Sequence, residues 1–340
     1  FAHIFDKIYP ALFPIFREEF SLTLPQLGLL ASVPPLFQTV FSIPFGYLAD
    51  RISSKKAIAL SFVFSILSAL AVILSKNIWT LTIALSCVYL TTTIYHPASY
   101  SYTIELAAPE NRSKALGIQN AGGPLGLAMG PISLALFMSL GLDWRFTYVF
   151  WIIPIALALL AVWRLRIDEG EDQSKTSTTE TTNSDAEATK KNVSSLRSIL
   201  AGGFRVYLVF TAIRAVGGQI INVFLPLYLK DYRGLTVSEA SLIYGAVSLF
   251  GSIAPPIGGF FADRLGNKSW LMATMFSSTL FLAASFVAPT TPLFLGFYFL
   301  QSFIGFLGMP ANSSIIATLT PSTQRAVSYT HLTLPTNREV

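Results

Sequence analysis

Ten apolar stretches follow one another along this chain with polar breaks between them, near residues 1–16, 26–48, 57–75, 78–103, 115–140, 146–165, 204–229, 239–261, 269–288 and 292–318. Roughly 20 apolar residues in a helix cross the hydrocarbon core of a bilayer. Inside that core a backbone N–H or C=O finds no water, so a spanning segment must satisfy its own hydrogen bonds, as a helix does. The pattern predicts an all-α polytopic membrane protein. Charged residues make up 12% of the chain, about half the ~25% usual in soluble domains. Pro34, Pro35, Pro97, Pro124, Pro131, Pro255, Pro256 and Pro310 lie inside the spans. Membrane bundles tolerate such residues because neighbouring groups re-satisfy the freed backbone. Trp79, Trp144 and Trp270 fall at span ends, where interfacial anchors are expected.

The placement of positive charge sets the orientation. Loops 49–56, 105–114, 164–203 and 262–268 hold Arg51, Lys55, Lys56, Arg112, Lys114, Arg164, Arg166, Lys175, Lys190, Lys191, Arg197, Arg264 and Lys268. The alternate loops hold Arg17, Lys76, Arg145, Lys230 and Arg233. The richer set is cytoplasmic by the positive-inside rule, and the N-terminus with it. This asymmetry accounts for the net charge of +5 without a nucleic-acid partner. A single cysteine, Cys87, excludes an internal disulfide and any multi-cysteine metal site. Neither metal nor cofactor is expected.

The chain repeats itself. At an offset of 213, Gln26–Arg51 lies against Glu239–Arg264, with Leu36-Phe37 on Leu249-Phe250 and Ala49-Asp50-Arg51 on Ala262-Asp263-Arg264. Further on, His96-Pro97-Ala98 falls on Met309-Pro310-Ala311, and Arg112 on Arg325. Between the copies runs a polar segment rich in Thr, Ser and Glu, with no apolar period and no means of burying a core. The expected organisation is a helical half at 1–166, a cytoplasmic linker at 167–198 and a second half at 199–326. Two related halves joined this way are the layout of secondary transporters built from repeats. The register predicts two more spans after Arg325, whereas residues 327–340 are polar and resemble translated adapter sequence foreign to the protein. Phe1 opens inside an apolar run, so the native start is expected upstream.

These residues resemble the major facilitator superfamily. Gly46-Tyr47-Leu48-Ala49-Asp50-Arg51-Ile52-Ser53-Ser54-Lys55 is similar to that family's cytoplasmic signature after the second helix, departing at Ser53 and Ser54 where Gly and Arg are usual. Gly259 to Lys268 is the counterpart in the second half and includes Gly266. In the fifth span, Gly117, Gly126, Gly130 and Pro131 resemble the family's antiporter motif, though Leu134-Ala135 replace a usual Gly pair. Small residues at such spacing also serve close helix packing alone, and both readings stand. The Arg that drug–proton antiporters often carry in the fourth helix is absent. Tyr95-His96-Pro97-Ala98 and the first span instead resemble prokaryotic permeases and efflux proteins of the fosmidomycin-resistance group.

The resemblance implies roles. Gly46, Asp50, Arg51, Lys55, Glu105, Gly259, Asp263, Arg264 and Gly266 are expected to form a cytoplasmic gate, with Arg51 pairing Glu105 and latching the outward-open state. A plain positive-inside anchor is the alternative. Ionisable groups at bilayer depth default to functional hypotheses. Asp6 lies about ten residues from the outer end of its span and Arg214 about ten residues into the seventh from the inside, each near the midplane at 1.5 Å per residue. Asp6 is expected to take the coupling proton with His3 one turn away; a local ion pair with Lys7 is the alternative. Arg214 is expected to hold a polar or anionic substrate group, or to pair with Asp6 when the site is empty. His96, Gln38, Gln119, Asn120, Gln219 and Asn222 are expected to line the cavity.

The function expected from this resemblance is proton-coupled transport of a small organic solute by alternating access, as a monomer in a prokaryotic plasma membrane, with efflux by antiport ahead of symport of an organic anion or nutrient. No paired metal ligands or activated nucleophile cluster occurs in a span, so the chain is not read as an enzyme. A transporter-derived sensor would have lost its midplane charges.

Overall fold

The computed structural model describes residues 3–108, 112–164 and 203–319. The elements are α1 (Ile4–Ala11), α2 (Phe13–Glu19), α3 (Leu24–Arg51), α4 (Ser54–Ile73), α5 (Ile78–Leu106), α6 (Arg112–Ser139), α7 (Arg145–Arg164), α8 (Gly203–Asp231), α9 (Val237–Gly251), α10 (Ala254–Leu265), α11 (Asn267–Val287), α12 (Thr291–Leu307) and α13 (Met309–Leu319). They form ten rods, because α1 with α2, α9 with α10 and α12 with α13 each run nearly continuously. Among the described residues, eight helical segments are long and apolar enough to cross a membrane. The all-α architecture expected from the sequence is the one observed.

Proline explains where rods break. Leu12 separates α1 from α2 between Pro10 and Pro14, and Pro14 sits in the first turn of α2. The second break precedes Pro255 and Pro256, and the third precedes Pro310. A proline removes one hydrogen bond and clashes with the preceding turn, so a restart beside it is the low-energy solution. Pro97, Pro124 and Pro131 by contrast lie inside continuous helices.

The repeat is visible in the caps. Thr23 and Gln26 close a capping box at the start of α3, with Gln26 Oε1 2.8 Å from Thr23 N. At the equivalent positions Thr236 and Glu239 close the same box on α9, also at 2.8 Å. Each box satisfies orphan N–H donors that a helix start cannot pair itself. Ser21 and Gly234, equivalent again, take positive φ values of 51° and 70° in the turns just before. Within the rods, hydroxyls donate back to their own helix, as Ser61 does to Ile58 O at 2.7 Å and Ser86 to Thr82 O at 2.7 Å. No water is needed to satisfy them.

In the first half α5 packs on α3 and α4, α4 on α7 and α1 on α6; in the second α12 packs on α10 and α11. The main seam between halves joins α6 to α9. Leu67, Ile153, Leu157 and Ile213 are exposed on the outer faces, where lipid tails replace water. Trp79 is exposed at its span end, but Trp144 is buried and its indole N–H donates to Glu19 at 2.7 Å. It anchors protein to protein rather than protein to lipid. Trp270 similarly donates to Leu307 O at 2.9 Å.

The two copies of the signature differ in backbone where they differ in sequence. Gly266 joins α10 to α11 with φ 84° and ψ 134°, a region closed to residues with a Cβ. Ser53 joins α3 to α4 with φ −60° and ψ 146°, which any residue adopts. Gly266→Ala is therefore expected to cost about 1–3 kcal/mol and Ser53→Ala less than about 0.5 kcal/mol. Tryptophan-fluorescence melting of the purified protein checks this. Equal midpoints for both variants would remove the backbone explanation.

Candidate functional site

A cavity of about 740 Å³ lies between the halves. Its wall takes His3 and residues of α1, α3, α5, α6, α8 and α9 on one side of the seam or the other, with α11, α12 and α13 completing it. Asp6 stands three residues after His3, a spacing that places both side chains on one helical face. His3 Nδ1 and Asp6 Oδ2 are 2.9 Å apart, and the side chains are 16% and 18% exposed. Asp6 Oδ1 is buried and has no hydrogen-bond partner among the described residues. The His3 ring lies 4.8 Å from that of His96, which in turn stacks near Tyr100. Two imidazoles and a carboxylate thus share one wall of the cavity.

Lys7, the next residue on α1, points across the seam. Its ammonium lies 3.4 Å from Asn222 Oδ1 on α8 and 4.9 Å from the centre of the Tyr244 ring on α9. Asn222 also donates to Gly218 O at 3.0 Å, which fixes its amide. Arg214 and Gln219 line the cavity from α8. Arg214 and Asp6 form no ion pair among the described residues, so the second of the two roles left open for Arg214 is not the one seen. The repeat explains why: Asp6 is equivalent to Gln219, so Arg214 lies five residues, roughly 7 Å, nearer the cytoplasm.

Other expected liners divide between cavity and scaffold. Gln38 is in the wall, and its amide donates to Tyr89 O at 3.1 Å and Thr92 Oγ1 at 2.9 Å, tying α3 to α5. Gln119 accepts from Thr103 Oγ1 at 2.6 Å and stands away from the cavity, joining α5 to α6. The structure gives only the helical place of Gly46, Asp50, Arg51, Glu105, Gly117 and Asn120; their side chains lie outside the described residues, and the latch between Arg51 and Glu105 with them. Lys55 heads α4, while Asp263 and Arg264 are exposed at the end of α10 with the Arg264 guanidinium 4.1 Å from the Phe260 ring centre. Buried hydroxyls that the sequence reading passed over include Tyr9 and Tyr89, 3.0 Å apart beneath Asp6. Lys7 entered the sequence reading only as a local partner for Asp6, although its charge at bilayer depth was a signal for the cavity; Gln219, expected as a liner, is in the wall.

The glycines of the fifth span are packed tightly. A Cβ on Gly126 would stand 3.4 Å from that of His3, and one on Gly130 only 2.3 Å from Ile4 O. Pro131 is buried beside it. On the neighbouring face Ala128 O would be 2.9 Å from a Cβ on Gly245 of α9. The motif residues Gly126 and Gly130 therefore hold α6 against the segment that carries His3 and Asp6.

The outer end of the seam is tied by charge. Arg17 pairs with Asp231, and Lys230 with Glu18. These are reciprocal contacts: Arg17-Glu18 and Lys230-Asp231 are equivalent in the repeat, so a pseudo-two-fold axis brings each cation to the other copy's anion. Arg145 pairs with Glu19 beside them within the first half. Among the described residues, the cross-seam contacts run from Lys7 at mid-depth to this outer end, so the cavity is closed outward. Glu18→Lys is expected to open the outer end, and Glu18→Lys with Lys230→Glu to reclose it. Labelling of Ala215→Cys in a Cys87→Ser background by an impermeant external thiol reagent reads this out. A single variant labelled at the parental rate would show that the ion pairs do not hold the seam.

A family model for the Major Facilitator Superfamily matches residues 1–321. The chain is 27% identical over 292 residues to an uncharacterized MFS-type transporter, YfnC, of Bacillus subtilis, covering 84% of this chain and 68% of the relative. It is 24% identical over 313 residues to the hexuronate transporter of the same organism, covering 90% and 69%. With the fosmidomycin resistance protein of Escherichia coli it shares 22% over 268 residues, covering 76% and 61%. The chain thus spans about two thirds of the length of these relatives. Among solved structures, a bacterial homologue of the human lysosomal transporter Spinster, in an inward-facing and occupied conformation, superposes with a TM-score of 0.75 at 19% identity, covering 98% of this chain and 75% of that one.

Proposed function

This chain belongs to the major facilitator superfamily and is part of a multi-pass membrane transporter rather than an enzyme, and on that premise we propose that it couples proton movement to the passage of a small organic solute by alternating access. Asp6 with His3 is the proton site, Arg214 and the neighbouring amides of Gln219 and Asn222 meet the solute, and the two signature loops act at the cytoplasmic gate. The plasma membrane of a prokaryote is the setting. The observation that carries this reading is the Asp6–His3 pair in the wall of the cavity between halves, with one carboxylate oxygen buried and unpartnered among the described residues. A carboxylate at bilayer depth is costly while charged, and a proton relieves that cost. Coupling follows if the proton is gained on one side and released on the other as the halves rock.

The relatives point in both directions, one named for drug resistance and one for hexuronate transport. The glycine motif favoured efflux, yet Gly126 and Gly130 are fully engaged in holding α1 to α6. Direction therefore rests on the sign of the proton flux. Full-length protein in vesicles loaded with a pH-sensitive dye is expected to change lumenal pH as a transported solute enters: alkalinisation marks antiport and acidification symport. Asp6→Asn is expected to abolish the pH change. Solute entry with no pH change in the parent, or an undiminished change in Asp6→Asn, would refute the assignment.

A further inference from the structure

We propose that the cavity selects organic anions over organic cations and that Lys7, together with Arg214, determines the selection. The inference rests on the reading above only in placing the solute in this cavity, and it names the solute's class. Among the described residues the lining holds two cations, Lys7 and Arg214, and one carboxylate, Asp6. With the histidines neutral the wall carries a net charge of +1, two minus one. In a cleft of low dielectric such an excess acts more strongly than at an aqueous surface.

Lys7 is poised to exchange partners. Its contact to Asn222, at 3.4 Å, exceeds the usual range for an N–H···O bond, and it also lies over the face of the Tyr244 ring. Both groups are neutral, and both belong to the second half while Lys7 belongs to the first. A carboxylate, sulfonate or phosphonate would form shorter, charge-assisted bonds and draw the ammonium to itself. Arg214 stands closer to the cytoplasm, so an anion entering from that side meets it before Lys7. Phe210, Leu271, Met275, Tyr244 and Tyr298 supply apolar and aromatic wall for the body of the solute. An organic cation would face both positive groups with Asp6 alone to offset them, and Asp6 already accepts from His3.

The arrangement also chooses a direction. When Asp6 takes a proton the wall passes from +1 to +2, so a bound proton and a bound anion favour each other. Mutual favour is the linkage of cotransport; exchange needs mutual exclusion. An anionic solute in this cavity therefore goes with symport.

Calorimetric binding to full-length protein in detergent tests the proposal without any proton measurement, so its failure leaves the coupling proposal standing and the reverse. The probes share one ring and differ in charge: benzoate, p-toluenesulfonate and phenylphosphonate against phenyltrimethylammonium. At least one anion is expected to bind about tenfold tighter than the cation. Lys7→Met and Arg214→Met are each expected to weaken that anion about tenfold, and Lys7→Arg to keep it within about threefold. Asp6→Asn is expected to tighten it, an opposite sign that loss of structure would not produce. The proposal is overturned if the cation binds the parent as well as every anion, if no anion binds, or if folded Lys7→Met binds the anion unchanged.

Discussion

The cavity depends on how closely α6 is held between its two neighbours. At Gly130 the backbone of α1 leaves no room for a methyl group, and at Gly245 the backbone of α6 leaves none on α9. In lipid there is little hydrophobic drive to bring apolar helices together, so close van der Waals contact between small residues has to do it. Because one helix makes both contacts, α6 fixes the position of α1 in its own half and the line along which the other half meets it. His3, Asp6 and Lys7 are carried on that held segment. Bulk at either glycine would move the charged residues away from α8 before it touched any of them.

Equivalent positions in the two halves divide into those the repeat keeps and those it changes. The capping boxes at Thr23–Gln26 and Thr236–Glu239, the positive-φ turns at Ser21 and Gly234, and the charge dipeptides Arg17-Glu18 and Lys230-Asp231 are kept. Each secures a helix end or the seam, and a pseudo-symmetric structure needs each twice. Asp6 against Gln219 and His96 against Met309 are changed. These face the cavity, where one proton-binding group is useful and a symmetric second would set two like charges in one cleft. Departure from the repeat is thus a guide to chemistry, and agreement with it a guide to architecture.

The apolar runs and the repeat made the fold legible, since helix is the one local solution open to an unpaired segment in hydrocarbon. Helix breaks were partly legible: Pro10 with Pro14 interrupts a rod, but Pro124 and Pro131 do not, and only the packing around each tells them apart. Trp144 had the position of a lipid anchor and instead binds Glu19, because a charged partner 125 residues away along the chain is invisible to a local pattern in the sequence. Of the amides, Gln38 reaches the cavity while Gln119 turns to Thr103. Both are polar residues in apolar spans, and nothing local to either distinguishes them. Of the two roles left open for Arg214, pairing with Asp6 is absent among the described residues; the difference in depth lies in the repeat register and not in counts from uncertain span ends.

Contacts within a half differ in kind from contacts across the seam. Inside the first half, Gln38 makes two bonds to α5, Tyr9 and Tyr89 share a buried hydroxyl pair, and Arg145 with Trp144 both hold Glu19. Across the seam the polar contacts include a long bond from Lys7 at mid-depth, a single hydroxyl bond from Ser238 to Ala135 O at 2.7 Å, and ion pairs with exposed members at the outer end. Exposed pairs contribute about 0–1 kcal/mol each, since water competes for both charges. A transporter that rocks must break its seam contacts in every cycle and remake them on the other side. Contacts that water or a solute anion replaces at small cost permit this, and a seam of buried, fully paired charges would not. The close-packed glycines then supply what the weak polar contacts lack, a surface along which the halves meet in only one register.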